Sequence, residues 1–487
     1  MLLNLLARFI KSHKVSSLFN INKMSMYDGP IVVILGATGA GKSKLALDIA
    51  SRLNGEIINA DSMQVYKGLD IVTNKVTPEE LKICKHHLIG FLSPLQEYTV
   101  IDFQRQALKA IEKIQCRRKL PIICGGTNYY IEAILWEFLT PTNKEQLRID
   151  DTSVRQIDDN SKKELEVLSS TELYEILDKA DPERALSLHP HDRRKIIRSI
   201  EVYRQSGQKH SDILKLQTGD QRIGGPLLFE NTCLIYVDCD KEILNERINK
   251  RVDKMVETGL IDELKLFHKD YNKDRLQSGL QADYERGIFQ SIGFKEFHDY
   301  LTKEVSDNNE RNVLLNESIE RMKISTRQYA KYQRKWIRNR IVNRENGLPV
   351  YAVDSSDPSI WDKTALFSSL KLLHTALQWG EWVENINKNN DIFKLEELKN
   401  IVNIEPMTAE SNTDLSPRVK RVCHICNGQI FITDKEWQIH ITSKRHKKIQ
   451  ASQKRKLKNT VNILSNHEKQ LQKKAKETPT ESTANDE

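Results

Sequence analysis

The chain has 487 residues, with 75 Lys and Arg against 67 Asp and Glu, a formal net charge of +8. Hydrophobic content of 39% beside 29% charged residues fits folded cores with polar extensions, and the length fits about three domains. No apolar run approaches the ~18 residues of a membrane span, and seven scattered cysteines do not form a disulfide framework.

Segment 1–27 has no Asp or Glu but carries Arg8, Lys11, Lys14 and Lys23. Leu2, Leu3, Leu5, Leu6, Phe9 and Ile10 can form one apolar face. Such a segment resembles a mitochondrial transit peptide, with a disordered basic tail as the alternative. Met24 and Met26 offer a later start, so the expectation is a mitochondrial form with a cytoplasmic or nuclear form from the internal start.

The core reading covers 28–355. Strands are predicted at 31–35, 56–60, 87–91, 121–124, 233–238 and 348–353, with helices between them, for example 102–115. This alternation implies an α/β fold, a doubly wound parallel sheet of the P-loop NTPase type. The stretches 124–233 and 241–335 read as mostly helical, and at least one should form an inserted helical lobe. A helical extension follows at 356–384. A polar linker spans 385–418, a small module 419–450, and a charged tail 451–487 that reads as disordered or as a lone charged helix.

The first strand runs into Gly36-Ala37-Thr38-Gly39-Ala40-Gly41-Lys42-Ser43, and Leu45, Ala46, Ile49, Ala50 and Leu53 follow at helical spacing. Strand, glycine loop and helix form the context of a phosphate-cradling P-loop. The glycines let backbone N–H groups turn toward phosphate oxygens, Lys42 adds an ammonium, Ser43 can hold Mg²⁺, and the helix adds its positive end. ATP or GTP is the default ligand. The second strand ends in Asp61-Ser62-Met63-Gln64, and ligands of open α/β sheets lie beyond such ends. Asp61 can coordinate metal, accept a proton or cap a helix. The fourth predicted strand ends in Gly125-Gly126-Thr127-Asn128-Tyr129-Tyr130, where Thr127 and Tyr130 can face the same cleft.

These segments, with His189–Val202, Ser291–Phe297, Thr326–Gln333 and Trp336, resemble the tRNA dimethylallyltransferase (tRNA isopentenyltransferase) family over about 31–354, and the C-terminal module resembles its eukaryotic members. The resemblance implies that the loop holds the diphosphate of dimethylallyl diphosphate rather than ATP. It implies transfer of the five-carbon group to the exocyclic amine of the adenosine just 3′ of a tRNA anticodon. Asp61 is then the base, Thr38 contacts the substrate near the breaking bond, Lys42 and Mg²⁺ hold the leaving group, and Thr127 is a tRNA-contacting position. Ser62, Met63 and Gln64 share that tRNA-facing loop. Gln290 and Ser291 read as a further contact with nucleic acid or the cleft. Arg247 and Arg251 resemble diphosphate-facing arginines.

Two basic segments support an RNA partner. The first carries Arg193, Arg194, Lys195 and Arg198 at helical spacing. The second, 321–344, has nine Lys or Arg and no acid, with Tyr329, Tyr332 and Trp336 interleaved among Arg327, Lys331, Arg334 and Lys335. Cations for phosphates and aromatics for bases suit RNA, whereas a solvated helix face is the simpler reading of each. The C-terminal module spaces Cys423, Cys426, His440 and His446 as a Zn²⁺ site, resembling matrin/U1-type fingers. The competing functions are an ATP-dependent nucleoside or small-molecule kinase and a non-catalytic RNA-binding scaffold. The partners expected are tRNA and dimethylallyl diphosphate, with no membrane, in a monomer.

Overall fold

A computed structural model describes residues 29–136, 164–165, 167–218, 227–273, 277, 284, 286–303, 306–344, 347–376, 401, 403–409 and 420–476. The transit-peptide-like segment lies outside them. The chain divides into two compact units, residues 1–147 with 220–411 and residues 148–219 with 412–487.

In chain order the first unit begins with β1 (Ile31–Gly36), α1 (Lys42–Arg52), β2 (Gly55–Asn59), α2 (Pro78–Ile83), β3 (His86–His87), α3 (Val100–Cys116), β4 (Leu120–Cys124) and α4 (Asn128–Leu135). The second unit contributes α5 (Ser170–Ala180), α6 (Pro182–Leu186), α7 (Arg193–Ser206) and α8 (His210–Thr218). The first unit resumes with β5 (Thr232–Asp238), α9 (Lys241–Glu257), α10 (Leu260–Tyr271), α11 (His298–Thr302), α12 (Asn308–Ile337), β6 (Val350–Asp354) and α13 (Ser368–Ala376). The second unit closes with β7 (Arg421–Cys423), β8 (Gln429–Phe431), α14 (Asp434–Thr442) and α15 (Lys444–Lys476).

Six parallel strands form one sheet in the order β3-β2-β4-β1-β5-β6. Side chains alternate across a strand, and β1 shows the result. Val32 and Ile34 join Leu45, Ala46 and Ile49 of α1 on one face. Ile31, Val33 and Leu35 join Phe103, Ala107, Ile111 and Ile114 of α3 on the other. Both faces are covered, which is why the strand reads as an unbroken apolar run. The α3 stripe starts from a capping box, in which Thr99 and Asp102 satisfy each other's backbone N–H groups.

The strand expected at 87–91 is only the two-residue β3. Leu88 has φ 58°, which stops the extended run. Residues 90 and 91 instead donate to the carbonyls of Gln64 and Val65 at 2.8 and 2.9 Å.

The two long helical stretches have different fates. Helices α5 to α7 share a small core of Leu173, Leu177, Ala185, Leu188, Ile196 and Ile200 in the second unit. The stretch after residue 241 stays in the first unit. There α9, α10 and α12 close a third core with Val65, Tyr66, Leu69 and Val72, the chain just after β2.

Part of the polar segment expected as a linker lies against the first unit. Ile401 and Ile404 pack on its core, and the Met407 amide donates to the Val350 carbonyl at 2.8 Å. The described part of the charged tail is helical as far as Lys476. Among the described residues no helix is long and apolar enough to cross a membrane.

Candidate active site

The site is built at the carboxyl ends of β1, β2 and β4, where an open parallel sheet leaves its crevice. Gly41 has φ 99°, so the glycine loop turns sharply into α1 without the strain a side chain would bring. Lys42 follows and is buried, and its ammonium donates to the Ala37 carbonyl at 2.8 Å. Burial, aided by the nearby Arg251 cation, pulls its pKa down to about 8, against the pull of Cys124 and Asp61 in the other direction. Ser43, next on the helix, is exposed. Thr38 is half-buried, and Arg251 of α9 points a guanidinium nitrogen at its hydroxyl, 3.5 Å away.

Asp61 lies just past β2, where the Ala60 amide donates to the Cys124 carbonyl at 2.9 Å. Its Oδ1 accepts the Met63 amide at 2.9 Å. Burial raises its pKa above the ordinary carboxylate value, and the Met63 amide, Lys42, the Gln64 amide and Arg251 offset that in part. Asp61, Lys42 and Arg251 therefore share one low-dielectric field. A loop of backbone donors with two cations can hold a polyanion, and a desolvated carboxylate beside it can take a proton.

Gly125 sets the approach of β2 and β4. A Cβ on it would lie 2.2 Å from both the carbonyl carbon and oxygen of Ala60. Backbone cannot yield as a side-chain tip can. Gly125→Ala is expected to destabilise the protein by about 2 kcal/mol or more and to displace the neighbouring Asp61. A thermal melt compared with wild type checks this, and an unchanged melting temperature would show that the strand ends separate freely.

Thr127 latches the same loop. Its Oγ1 accepts the Ser62 amide at 2.9 Å and donates to Ser62 Oγ at 3.0 Å. The Gln64 side chain donates to the Thr73 and Asn74 carbonyls at 2.9 and 3.1 Å, which ties it to the turn ahead of α2. Gln290 is exposed, whereas Ser291 is buried and donates to the Ile288 carbonyl at 2.6 Å.

The basic segment 321–344 has two kinds of side chain. Lys331, Tyr332 and Lys335 are exposed and Tyr329 is partly so. Others are engaged by the protein. Arg327 bonds Asn249. Arg334 pairs with Asp238 at 3.1 Å and donates to the Cys239 carbonyl at 3.2 Å. Trp336 donates to fully buried Glu132, which also takes a two-pronged bond from Arg340 at 2.8 and 2.7 Å. Gln333 is buried and joins the glycine loop to Gly126. Arg247, expected to face a diphosphate, donates instead to the Ser355 and Ser356 carbonyls at 2.6 and 2.9 Å. The roles of Gln333 and of the Glu132–Arg340 pair are not readable in the sequence, because their partners lie some 200 or more residues away.

Of the other basic segment, in the second unit, Arg194 and Lys195 are exposed on α7, Lys195 pairs with Asp192, and Arg198 lies 3.6 Å from Glu201. In the C-terminal module the ligand atoms of Cys423, Cys426, His440 and His446 all lie within 4.8 Å of one another. Both sulfurs are 3.5 Å from His446 Nδ1. A tetrahedral zinc with the usual bond lengths separates S and N ligands by about 3.5 Å, so these residues fit that ion. Phe431 and Trp437 pack edge to face beside them at 5.9 Å.

Comparison with known proteins agrees with this architecture. Residues 64–340 match the family described as IPP transferase. The chain is 42% identical over 424 residues to the Homo sapiens tRNA dimethylallyltransferase, covering 86% of this chain and 85% of that one. It is 35% identical over 425 residues to the Saccharomyces cerevisiae tRNA dimethylallyltransferase, covering 86% and 91%. A crystal structure of a eukaryotic dimethylallyltransferase acting on tRNA superposes with a TM-score of 0.69 at 31% identity, covering 89% of this chain and 99% of that one.

Proposed function

The chain belongs to the tRNA dimethylallyltransferase family, eukaryotic type, and we propose from that premise how its own residues carry the reaction. The protein is a prenyl transferase that modifies tRNA, moving the dimethylallyl group of dimethylallyl diphosphate to the exocyclic amine of the adenosine beside the anticodon. The observation that carries the residue assignment is the shared field of Lys42, Arg251 and Asp61 at the carboxyl ends of the interior strands.

The glycine loop, residues 36–43, holds the diphosphate with its backbone amides and the α1 N-terminus. Lys42 and Arg251 face the charge that grows as the allylic carbon–oxygen bond breaks. The new bond forms between that carbon and the adenine nitrogen. The proton lost by the nitrogen passes to Asp61, and diphosphate leaves. The Thr38 hydroxyl, held toward Arg251, sits at the boundary between allyl group and diphosphate. Ser43, beside Lys42 and with its side chain bonded to the Cys124 thiol, would turn its hydroxyl to Mg²⁺, which would neutralise the departing diphosphate further.

On the RNA side, Tyr329, Lys331, Tyr332 and Lys335 present cations and aromatic faces to the anticodon loop, and Arg194 and Lys195 add phosphate contacts. Arg334 and Trp336 act from beneath, by holding α12 on β5 and α4. An adenine in a loop is turned out of its stack more readily than one in a duplex.

Incubating the chain with dimethylallyl diphosphate and tRNA, without ATP, tests the reading. Isopentenyladenosine should form, and a requirement for ATP with release of ADP would favour the kinase.

Cys423, Cys426, His440 and His446 would hold zinc, whose role is to fold a module with little core of its own. Cys426→Ser is expected to remove stoichiometric zinc and weaken tRNA binding, with kcat at saturating tRNA within about twofold of wild type. Metal analysis and steady-state rates check this, and loss of turnover at saturating tRNA would place the finger in the chemistry.

A further inference from the structure

Helix α12 carries two kinds of side chain at one level. Lys331 and Lys335 are exposed and sit two residues either side of Gln333, about 200° around the helix from it. Gln333 is turned inward and is 1% exposed. Its Oε1 accepts the Thr38 amide at 2.8 Å, and its Nε2 donates to the Gly126 carbonyl at 2.8 Å. Tyr329, one turn earlier, donates to the same carbonyl at 3.3 Å.

A side-chain amide has a donor at one end and an acceptor at the other, and both ends are used here. Each partner belongs to a different half of the site. Thr38 lies in the glycine loop with its hydroxyl toward Arg251. Gly126 borders the base, since a Cβ there would lie 3.3 Å from Asp61 Oδ2. The chain is also anchored just past this point, through Arg334 to Asp238 and through Trp336, with Arg340 beyond the helix end, to Glu132. A load on its outer face therefore moves the helix as a body and reaches the loop through one amide.

We propose that Gln333 is the positioning residue that couples the tRNA-binding helix to the diphosphate cradle, so that each substrate raises the affinity for the other. This rests on the transferase reading above. Coupling of this kind is reciprocal and amounts to a differential contact in two states. The contact is the Thr38 amide: held by Gln333, it fixes the loop in the shape that receives the diphosphate. RNA on the outer face of α12 stabilises that seating.

The test measures the affinity of the full-length chain for inorganic diphosphate with and without saturating anticodon stem-loop RNA. Wild type should bind diphosphate about 5- to 100-fold more tightly with RNA present. Gln333→Met keeps the length but has no donor and only a weak acceptor, and Gln333→Glu turns a second acceptor toward the Gly126 carbonyl. Both should bring the ratio to about one, with RNA affinity alone within about twofold of wild type. The KM for dimethylallyl diphosphate should then rise more than kcat falls. A ratio near one in wild type, or a wild-type ratio retained in either folded variant, overturns the proposal. The wild-type chain's product assay separates the two readings. Isopentenyladenosine formed without coupling sinks only the role of Gln333, whereas failure to modify tRNA sinks the transferase reading itself.

Discussion

Asp61→Asn is expected to lower kcat by about 10²- to 10⁴-fold while diphosphate binding changes only a few-fold. Asn keeps the size of the side chain and an oxygen to accept the Met63 amide, so the loop should hold its shape. What it lacks is the capacity to take a proton. The same reasoning sets the acid limb of the pH profile. Burial raises the Asp61 pKa, so the ionised base, and with it the rate, is lost as pH falls through a value above the ordinary 3.8. The profile of kcat/KM should also fall on the alkaline side. In the free enzyme Lys42 titrates at about 8, and above that pH the cradle has lost a cation before substrate arrives. Bound diphosphate favours the ammonium, so the alkaline limb of kcat should lie higher than that of kcat/KM. Full kcat in the Asp61→Asn variant, or a wild-type profile that stays flat from acid to alkaline pH, would show that proton removal is done elsewhere.

Lys42→Met should have the opposite effects on activity and stability. Removing the ammonium is expected to lower kcat by about 10²- to 10³-fold, the usual consequence of losing one preorganised group at a developing anion. The same change should raise the melting temperature. Lys42 has a folded pKa of about 8 against 10.5 unfolded. The unfolded chain therefore binds more protons between those values, and stability rises with pH across that window. Below pH 8 the full penalty is present. Holding the charged form buried costs roughly 3 kcal/mol at neutral pH, which methionine avoids. A melting curve and a single-turnover rate on the same sample check both halves. A less stable variant would mean that the bond from Lys42 to the Ala37 carbonyl outweighs desolvation.

How much of this was legible depended on the range of the interactions. The run from β1 through the glycine loop to α1 is readable because a strand period, a glycine pattern and a helix period follow one another within about two dozen residues. The zinc ligands are readable for the same reason. β3 was overestimated because hydrophobicity continues past His87, whereas the backbone turns at Leu88. The segment 321–344 is more instructive. Its lack of acids suggested free cations, yet Arg334 and Arg340 find Asp238 and Glu132 on other elements. Local charge balance says nothing about partners that topology brings in. Arg247 and Arg251 look alike in sequence, and only the fold separates one that meets Thr38 from one that braces carbonyls at the end of β6. Gln333 closes the Thr326–Gln333 segment without a readable role, because its two partners come from the ends of β1 and β4.

The bond between Thr38 and Gln333 spans 295 positions of sequence. At ordinary elongation speeds of about 5–20 residues per second, a ribosome needs about 15–60 s to travel that distance. Throughout that interval the nascent chain carries a glycine loop whose Thr38 amide has no Gln333 to meet, and a sheet that still lacks β6. The anion cradle is thus synthesised long before it is completed, so catalytic competence on the ribosome waits for the emergence of α12.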